Sequence, residues 1–331
     1  MKLIVDAFGG DNAPEEIVSG VLEGMDEFNE MSVILTGDEN ILKDLLNGHR
    51  ELMPRIDIVH APERISMDEP PVNAIKKKKN SSMVVGLELL KDKSGDGFLT
   101  CGSTGAALSG ALRVGRIKGV LRPALAPILP NGGKGVMLID CGANMDCKPA
   151  NLEQFAVMGD IYMKSVLRLD SPRIGLANVG TEDEKGNVLT HETFPLLKAR
   201  TDINFVGNLE GRDVFDKADV IVSDGFAGNL LLKSIEGTAS FLMGIIKKEF
   251  SSGLRSKMGA GLLMPSLKRI KKMMDYTEYG GAPLLGIDGV IIKGHGSSNA
   301  KAVRAAVRQC ARMINADVVE IIKERLSAVE I

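Results

Sequence analysis

The sequence predicts an α/β protein: a three-layer α/β/α sandwich around a mostly parallel sheet, with a helical hairpin projecting from it. Three observations predict this. Short β-rich apolar runs alternate with longer helical patterns along the chain, the signature of a parallel sheet covered on both faces. Several of those runs end in glycine, small polar residues and an amide. Residues 230–275 break the alternation with a long helical pattern that contains no strand. The chain has 331 residues and is 44% hydrophobic, which suits one large α/β domain or two small ones. We expect a single domain, 1–331, with the hairpin 230–275 inserted in it.

In chain order, the apolar run Leu3-Ile4-Val5 predicts a buried strand over 2–6. The turn Asp6-Ala7-Phe8-Gly9-Gly10-Asp11-Asn12-Ala13-Pro14 follows. Two glycines there allow close backbone approaches, and Pro14 suits the first turn of a helix. Ile17, Val18, Val21, Leu22 and Met25 then recur at helical spacing and predict a helix over 15–28. Further strands are expected at 32–36, 56–59, 97–100, 124–129, 135–140, 173–177, 203–207, 219–223 and 290–293. Further helices are expected at 39–47, 73–92, 104–116, 151–168, 192–200, 227–251 and 299–326.

The loops after these strands are unusual. Thr100 leads into Cys101-Gly102-Ser103-Thr104-Gly105, and Asp140 into Cys141-Gly142-Ala143-Asn144. Asn178 leads into Val179-Gly180-Thr181-Glu182, and Ser223 into Asp224-Gly225-Phe226-Ala227-Gly228-Asn229. In a parallel sheet such turns sit at the carboxyl edge, where ligands bind. With the opening loop, they predict a polar, glycine-lined crevice.

In the hairpin, Phe241, Leu242, Ile245, Ile246 and Phe250 share roughly one helical face. Leu254, Met258 and Leu262 continue at i, i+4 and i+8 beyond Ser251-Ser252-Gly253. Between 247 and 272 stand Lys247, Lys248, Arg255, Lys257, Lys268, Arg269, Lys271 and Lys272 against the acid Glu249. Each arm would be about 30 Å long. Two readings stand. One is an antiparallel helix pair packed in a dimer core. The other is an interfacial element whose Leu254, Met258, Leu262, Leu263 and Met264 enter lipid beside a basic rim. Both hold together if the arms dimerise and the tip touches the membrane.

Composition excludes several functions. A net charge of −2 gives no global attraction to nucleic acid, and with no Trp and 4% aromatic residues there is little for bases to stack on. Cys101, Cys141, Cys147 and Cys310 form no CxxC pair, so neither a zinc site nor a disulfide scaffold is expected. There is no signal core and no apolar run long enough to span a bilayer. We expect a reduced, cytosolic chain. The Gly-x-Ser-x-Gly elbow, the phosphate-binding Gly-x-x-x-x-Gly-Lys-Ser/Thr loop and the dinucleotide Gly-x-Gly-x-x-Gly loop are all missing.

Local charge sorts the loops. Gly102-Ser103-Thr104-Gly105 opens a helix and contains no acid, so its N–H groups and hydroxyls favour a phosphate. Tight helix packing by small residues is the bland alternative. The loop Gly294-His295-Gly296-Ser297-Ser298-Asn299 is similar, with Lys293, Lys301 and Arg304 nearby. The opening loop instead carries Asp6 and Asp11, with Glu15 and Glu16 in the helix behind it. Four carboxylates would repel phosphate, so this loop is expected to orient other groups.

Taken together, Asp6 to Pro14, Gly102 to Ala107, Asp140 to Asn144, Asn178 to Glu182, Ser223 to Asn229, Glu278 to Ala282 and Gly294 to Ser298 resemble the bacterial phosphate acyltransferase family. The resemblance covers nearly the whole chain in the right order. It implies transfer of a fatty acyl group from acyl carrier protein to inorganic phosphate, giving acyl phosphate for phospholipid synthesis. It also implies a fold related to phosphotransacetylases and isopropylmalate dehydrogenase-type enzymes. Further implications are a homodimer, peripheral contact with anionic lipid at the cytoplasmic face of the cell membrane, and contact with the downstream glycerol-3-phosphate acyltransferase. No cofactor and no metal are implied.

The missing nucleophile motifs agree with this chemistry. Phosphate is itself a nucleophile, and a thiol with a pKa near ~8.5 leaves with little help. Positioning and oxyanion stabilisation remain. The candidates for phosphate are Ser103, Thr104, Ser297 and Ser298, with Gly102, Gly105 and Gly296. Asn144 and Asn229 are candidates for the carbonyl oxygen. Lys185 or His295 would neutralise charge, and Asp6, Asp11 or Asp224 would orient them. Lys76 to Lys79 and the basic residues of the hairpin are candidates for docking the acidic carrier protein, although a four-lysine run is as readily a solvated face. A short-chain phosphotransacetylase using coenzyme A is the alternative. A small soluble substrate needs no basic, apolar arm, which argues against it.

Overall fold

The computed structural model describes residues 1–273 and 279–327. Twelve strands form two sheets among the described residues. In the first, β1 (Lys2–Asp6), β2 (Ser32–Gly37), β3 (Ile56–His60), β4 (Gly97–Thr100) and β12 (Val290–Lys293) run parallel, in the order β3-β2-β1-β4-β12. Beyond β12 lie the antiparallel β11 (Ala282–Leu285) and β5 (Ala124–Leu125). In the second, β7 (Val136–Ile139), β10 (Val220–Val222), β8 (Arg173–Ala177) and β9 (Asn204–Leu209) are parallel, and β6 (Ile128–Leu129) pairs antiparallel with β7.

The strand expected at 124–129 is where one sheet becomes two. It is split at Pro127, whose ring removes a ladder donor. Its two halves pair with β11 and β7, and Leu138 N–H reaches Pro127 O at 3.0 Å. Strand β11 falls in a stretch where no strand was expected.

Alternation along the strands builds the layers. Leu3 and Val5 face one core with α1 (Glu15–Met25) and α10 (Ala300–Asn315). Ile4 and Phe98 face the other with α4 (Ser82–Lys91) and α5 (Thr104–Val114). Helices α1 and α10 approach closely because Gly20 has no side chain; a Cβ there would stand 2.4 Å from Ala300 O. In the second sheet, Met137, Ile139, Val220 and Val222 pack toward α6 (Pro149–Ser165). Val136, Leu138 and Ile221 pack toward Leu231, Leu232 and Ile235 of α8 (Gly225–Ser251).

Two expected helices are each two. The pattern over 73–92 is α3 (Pro71–Lys77) and α4, because Ser81 turns inward to accept from Val84 N–H and start a new helix. The pattern over 299–326 divides at Asp317, whose φ of 49° ends α10 before α11 (Val318–Ser327). Helix α2 (Glu39–Leu45) and α7 (Val188–Ala199) stand near their expected places.

The hairpin is α8 and α9 (Leu254–Met273). Only the first turns of α8 are seated on the second sheet. Beyond them Phe241, Leu242, Ile245 and Ile246 are exposed, and a Cβ at Gly237 or Gly244 would meet nothing within 4 Å. At the tip, Met258, Leu262, Leu263 and Met264 are exposed. The side chains of Leu254, Lys271 and Lys272, and residues 274, 275 and 278, lie outside the described residues. No helix among the described residues is long and apolar enough to cross a membrane.

Candidate active site

Strands β1, β4 and β12 are neighbours and parallel, so the loops that follow them emerge side by side. Hydrogen bonds join these loops. Asp11 N–H donates to Gly296 O at 2.8 Å, and Asn12 Nδ2 donates to Ser297 O and Ser298 O at 3.2 and 3.1 Å. Gly294 N–H reaches Thr100 O at 2.8 Å, and the Thr100 hydroxyl donates to Asp6 Oδ2 at 2.6 Å while accepting from Gly102 N–H at 3.0 Å. Gly10, at φ +109°, lets the first loop pass beneath the third; a Cβ there would stand 3.0 Å from Gly296 O. The opening loop is a clasp on the two loops that carry no acid.

Those two loops supply the candidate phosphate groups. Ser103 and Ser298 are buried at the loop floors, and Ser297 and Thr104 are exposed at the rim. Ser103 stands at the start of α5 but its hydroxyl makes no capping bond, unlike Asn299, which accepts from Ala302 N–H at 3.1 Å to start α10. The N–H groups at the start of α5 therefore have no side-chain cap from Ser103.

Beneath both loops lies Lys293, only 7% exposed. Its ammonium donates to Cys101 O at 3.5 Å and to Gly294 O, tying the loop after β4 to the loop after β12. Burial lowers its pKa, opposed by Cys101, Asp6 and Asp11. Asp6 is buried beside it, and burial raises its pKa against hydrogen bonds from Ser82 and Thr100. Its Oδ1 has no hydrogen-bond partner among the described residues. Arg64 flanks the clasp, with its guanidinium donating to Gly10 O. Neither cation was among the site residues expected from sequence. The readable signal for Lys293 was a lysine ending an otherwise apolar strand, directly before Gly294.

The facing wall comes from the second sheet. Asp140 accepts from the N–H groups of Leu125 (2.8 Å), Cys141 (2.7 Å) and Asn144 (2.7 Å), and so holds the loop 140–144 closed. Both amide protons of Asn144 are engaged, with Pro123 O at 2.8 Å and Asp140 Oδ2 at 2.9 Å. Asn144 thus braces the loop and has no proton left for a substrate oxygen. Asp224 caps α8 by accepting from Ala227 N–H at 2.7 Å. Asn229, beside Gly142, faces the cleft side of this helix. One turn on, Lys233 pairs with Glu236 at 2.8 Å, and both charges are felt by His295 across the cleft.

His295 stands at the mouth, its Nδ1 2.9 Å from Ser297 Oγ. Partial burial lowers its pKa, with Lys233 and Lys293 adding to the effect. The shift disfavours the charged imidazolium at this position. Lys185 is exposed in the loop after β8; Asn178 Nδ2 donates to its backbone carbonyl at 2.9 Å, and no described contact ties it to the loops after β4 and β12.

The α/β fold of two mostly parallel sheets is shared by solved structures. A phosphotransacetylase of Streptococcus pyogenes superposes with a TM-score of 0.61 at 15% identity, covering 97% of this chain and 94% of its own. A branched-chain phosphotransacylase of Enterococcus faecalis gives 0.55 at 16%, covering 95% and 100%. Residues 1–321 match the family described as fatty acid synthesis protein. The phosphate acyltransferase of Caldanaerobacter subterraneus is 51% identical over 328 residues, 98% of this chain and 97% of the relative. That of Thermoanaerobacter pseudethanolicus is 48% identical over 330 residues, 99% and 98%. The chain belongs to the phosphate acyltransferase family, and it is an acyltransferase of fatty acid synthesis.

Proposed function

We propose that the chain transfers a long-chain fatty acyl group from acyl carrier protein to inorganic phosphate, by direct attack of phosphate on the thioester. The observation that carries this reading is the pair of acid-free glycine loops, 101–105 and 294–298, joined from beneath by a buried lysine. Phosphate sits between them, on the N–H groups of Ser103 and Gly296 and the hydroxyls of Ser103 and Ser298, beside Gly102, with Thr104, Gly105 and Ser297 at the rim. The Lys293 ammonium offsets its charge. A phosphate oxygen attacks the thioester carbonyl, whose oxygen is held by Asn229 Nδ2. The carbon–sulfur bond breaks, and the proton of hydrogenphosphate ends on the departing sulfur. No enzyme nucleophile is acylated. Asp6, Asp11 and Asp224 act by holding loops and the α8 start. His295 and Asn144 order the cleft walls, and Lys185 meets the donor only at the outer edge.

The whole chain acts as one domain with the hairpin inserted. The exposed face Phe241, Leu242, Ile245 and Ile246 packs against a second copy, giving a homodimer. Met258, Leu262 and Leu263 at the tip rest on an anionic membrane surface at the cytoplasmic side, beside basic residues that also attract the acidic carrier protein. Acyl phosphate is thereby delivered to a glycerol-3-phosphate acyltransferase in the same membrane.

The test is incubation of purified protein with palmitoyl carrier protein and phosphate, with hydroxylamine trapping of the acyl phosphate. A hydroxamate that requires both substrates is expected. No hydroxamate, or faster turnover of acetyl-coenzyme A, would overturn the reading.

A further inference from the structure

We propose that a second cavity, at the carboxyl edge of the second sheet, receives the acyl chain of the donor; this rests on the acyl-transfer reading above. The cavity has a volume of about 290 Å³ and lies between the loops after β8, β9 and β10, the start of α7 and the first turns of α8. Its walls include Leu152, Leu189, Leu209, Val214, Ile221 and Leu231. The charged residues lining it, Glu210 and Asp224, are both acidic. It therefore repels phosphate and carboxylate and accepts a neutral apolar group. An apolar cavity of about 150 Å³ already binds benzene, so this one admits a segment of several methylenes.

The surroundings carry the same message. Val179, Val188, Phe226 and Leu230 are 79%, 73%, 64% and 59% exposed. Each lines the cavity or is adjacent in sequence to a residue that does. A single exposed apolar side chain needs no explanation, but Val179 on the cavity wall with three more on the elements that form it makes this an apolar region of the surface.

The cavity and the reaction centre lie on opposite faces of the start of α8. Ala227 and Leu231 face the cavity, whereas Asn229 lies two residues on from Ala227 and faces the cleft. A helix is about 10 Å across. At about 1.2 Å per bond of extended chain, a chain passing around the helix needs more than about eight bonds between a carbonyl at Asn229 and the cavity. Short acyl groups do not reach it; long ones do. Chain-length preference is then set by this cavity, while the carrier and the phosphate are held elsewhere.

Leu231→Trp fills the space without touching the phosphate loops. Each methylene excluded costs about fourfold in specificity, so kcat/KM for palmitoyl donor should fall at least tenfold. The value for butyryl donor should stay within twofold, and Leu231→Ala should restore the long-chain preference. Equal loss for both donors would assign Leu231 a purely structural role and overturn the proposal. So would a Phe226→Glu variant that becomes monomeric by light scattering with its chain-length profile unchanged, because the patch would then be a contact between copies. Calorimetric titration with S-dodecyl pantetheine, a non-reacting thioether, reads the cavity without turnover. Binding at least tenfold weaker in Leu231→Trp supports the proposal even if the acceptor is not phosphate, and equal binding refutes it.

Discussion

Replacing Lys293 by Met tests the electrostatic centre of the site. Met keeps an unbranched side chain, one atom shorter, and removes the ammonium. Two carbonyls, Cys101 O and Gly294 O, lose their donor, which costs roughly 1–3 kcal/mol if each stays buried and unpaired. Against this, a charge no longer has to be held in a 7% exposed position, and burial of an ammonium is itself unfavourable. The two effects nearly cancel, so the thermal midpoint should move little. Phosphate binding has no such compensation. A charge-assisted contribution of roughly 2–3 kcal/mol is lost, which raises KM for phosphate about 30- to 150-fold. KM for the acyl donor should stay within twofold. The assay is hydroxamate formation with each substrate varied in turn, beside circular dichroism to verify the fold. A folded variant with unchanged phosphate KM, or with both KM values raised equally, would refute the role given to Lys293.

Three further outcomes follow from named contacts. Gly228→Ala places a Cβ 2.0 Å from Asp140 O; the start of α8 must lift off the loop 140–144, and activity and thermal stability should fall together by several kcal/mol and several degrees. Glu27 joins the end of α1 to α10 through Arg308 at 2.7 Å and Arg304 at 2.5 Å, and those hydrogen bonds hold its pKa at about 2 against an ordinary 4.5. Its stabilising effect is therefore present above pH 4.5 and lost as pH falls toward 2; solvent screening reduces it to ~1 kcal/mol, and Glu27→Gln should flatten urea-midpoint measurements in that window. Met258→Glu at the exposed tip should release the protein from anionic vesicles in a flotation assay with turnover preserved; lost turnover with unchanged flotation would place the tip in the active site or a dimer core.

Strand positions and loops were largely legible because period-two apolar runs and terminal glycines are local signals. The errors arose where a local signal has a non-local cause. The run 124–129 reads as one strand, yet its halves pair with different sheets. The apolar pattern 73–92 reads as one helix because the break depends on the turn at Ser81. Strand β11 is short and held as a strand by β12 and β5, partners that no local window contains. The site followed the same rule. Glycines and hydroxyls beside strand ends were visible, whereas the engagement of both Asn144 amide protons with Pro123 and Asp140 required the folded loop.

The opening loop shows how folding changes a charge argument. Read along the chain, Asp6, Asp11, Glu15 and Glu16 form an acidic cluster that would repel phosphate. In the fold, Glu16 Oε2 accepts from Ala300 N–H at 2.5 Å at the start of α10, and Asp6 is buried with a raised pKa. The phosphate loops thus face one buried cation whose pKa is lowered by burial. That sets two pH dependences of opposite sign. As pH rises through the lowered Lys293 value, the ammonium is lost and KM for phosphate should rise, although phosphate itself no longer changes charge above about pH 8. Over the same interval the unfolded chain binds more protons at this lysine than the folded chain, so its contribution to stability increases with pH. Weaker phosphate binding without weaker folding, absent in Lys293→Met, is the expected pair of results as pH rises toward the ordinary lysine value. The same pH curve for phosphate KM in both proteins would show that another group carries the charge.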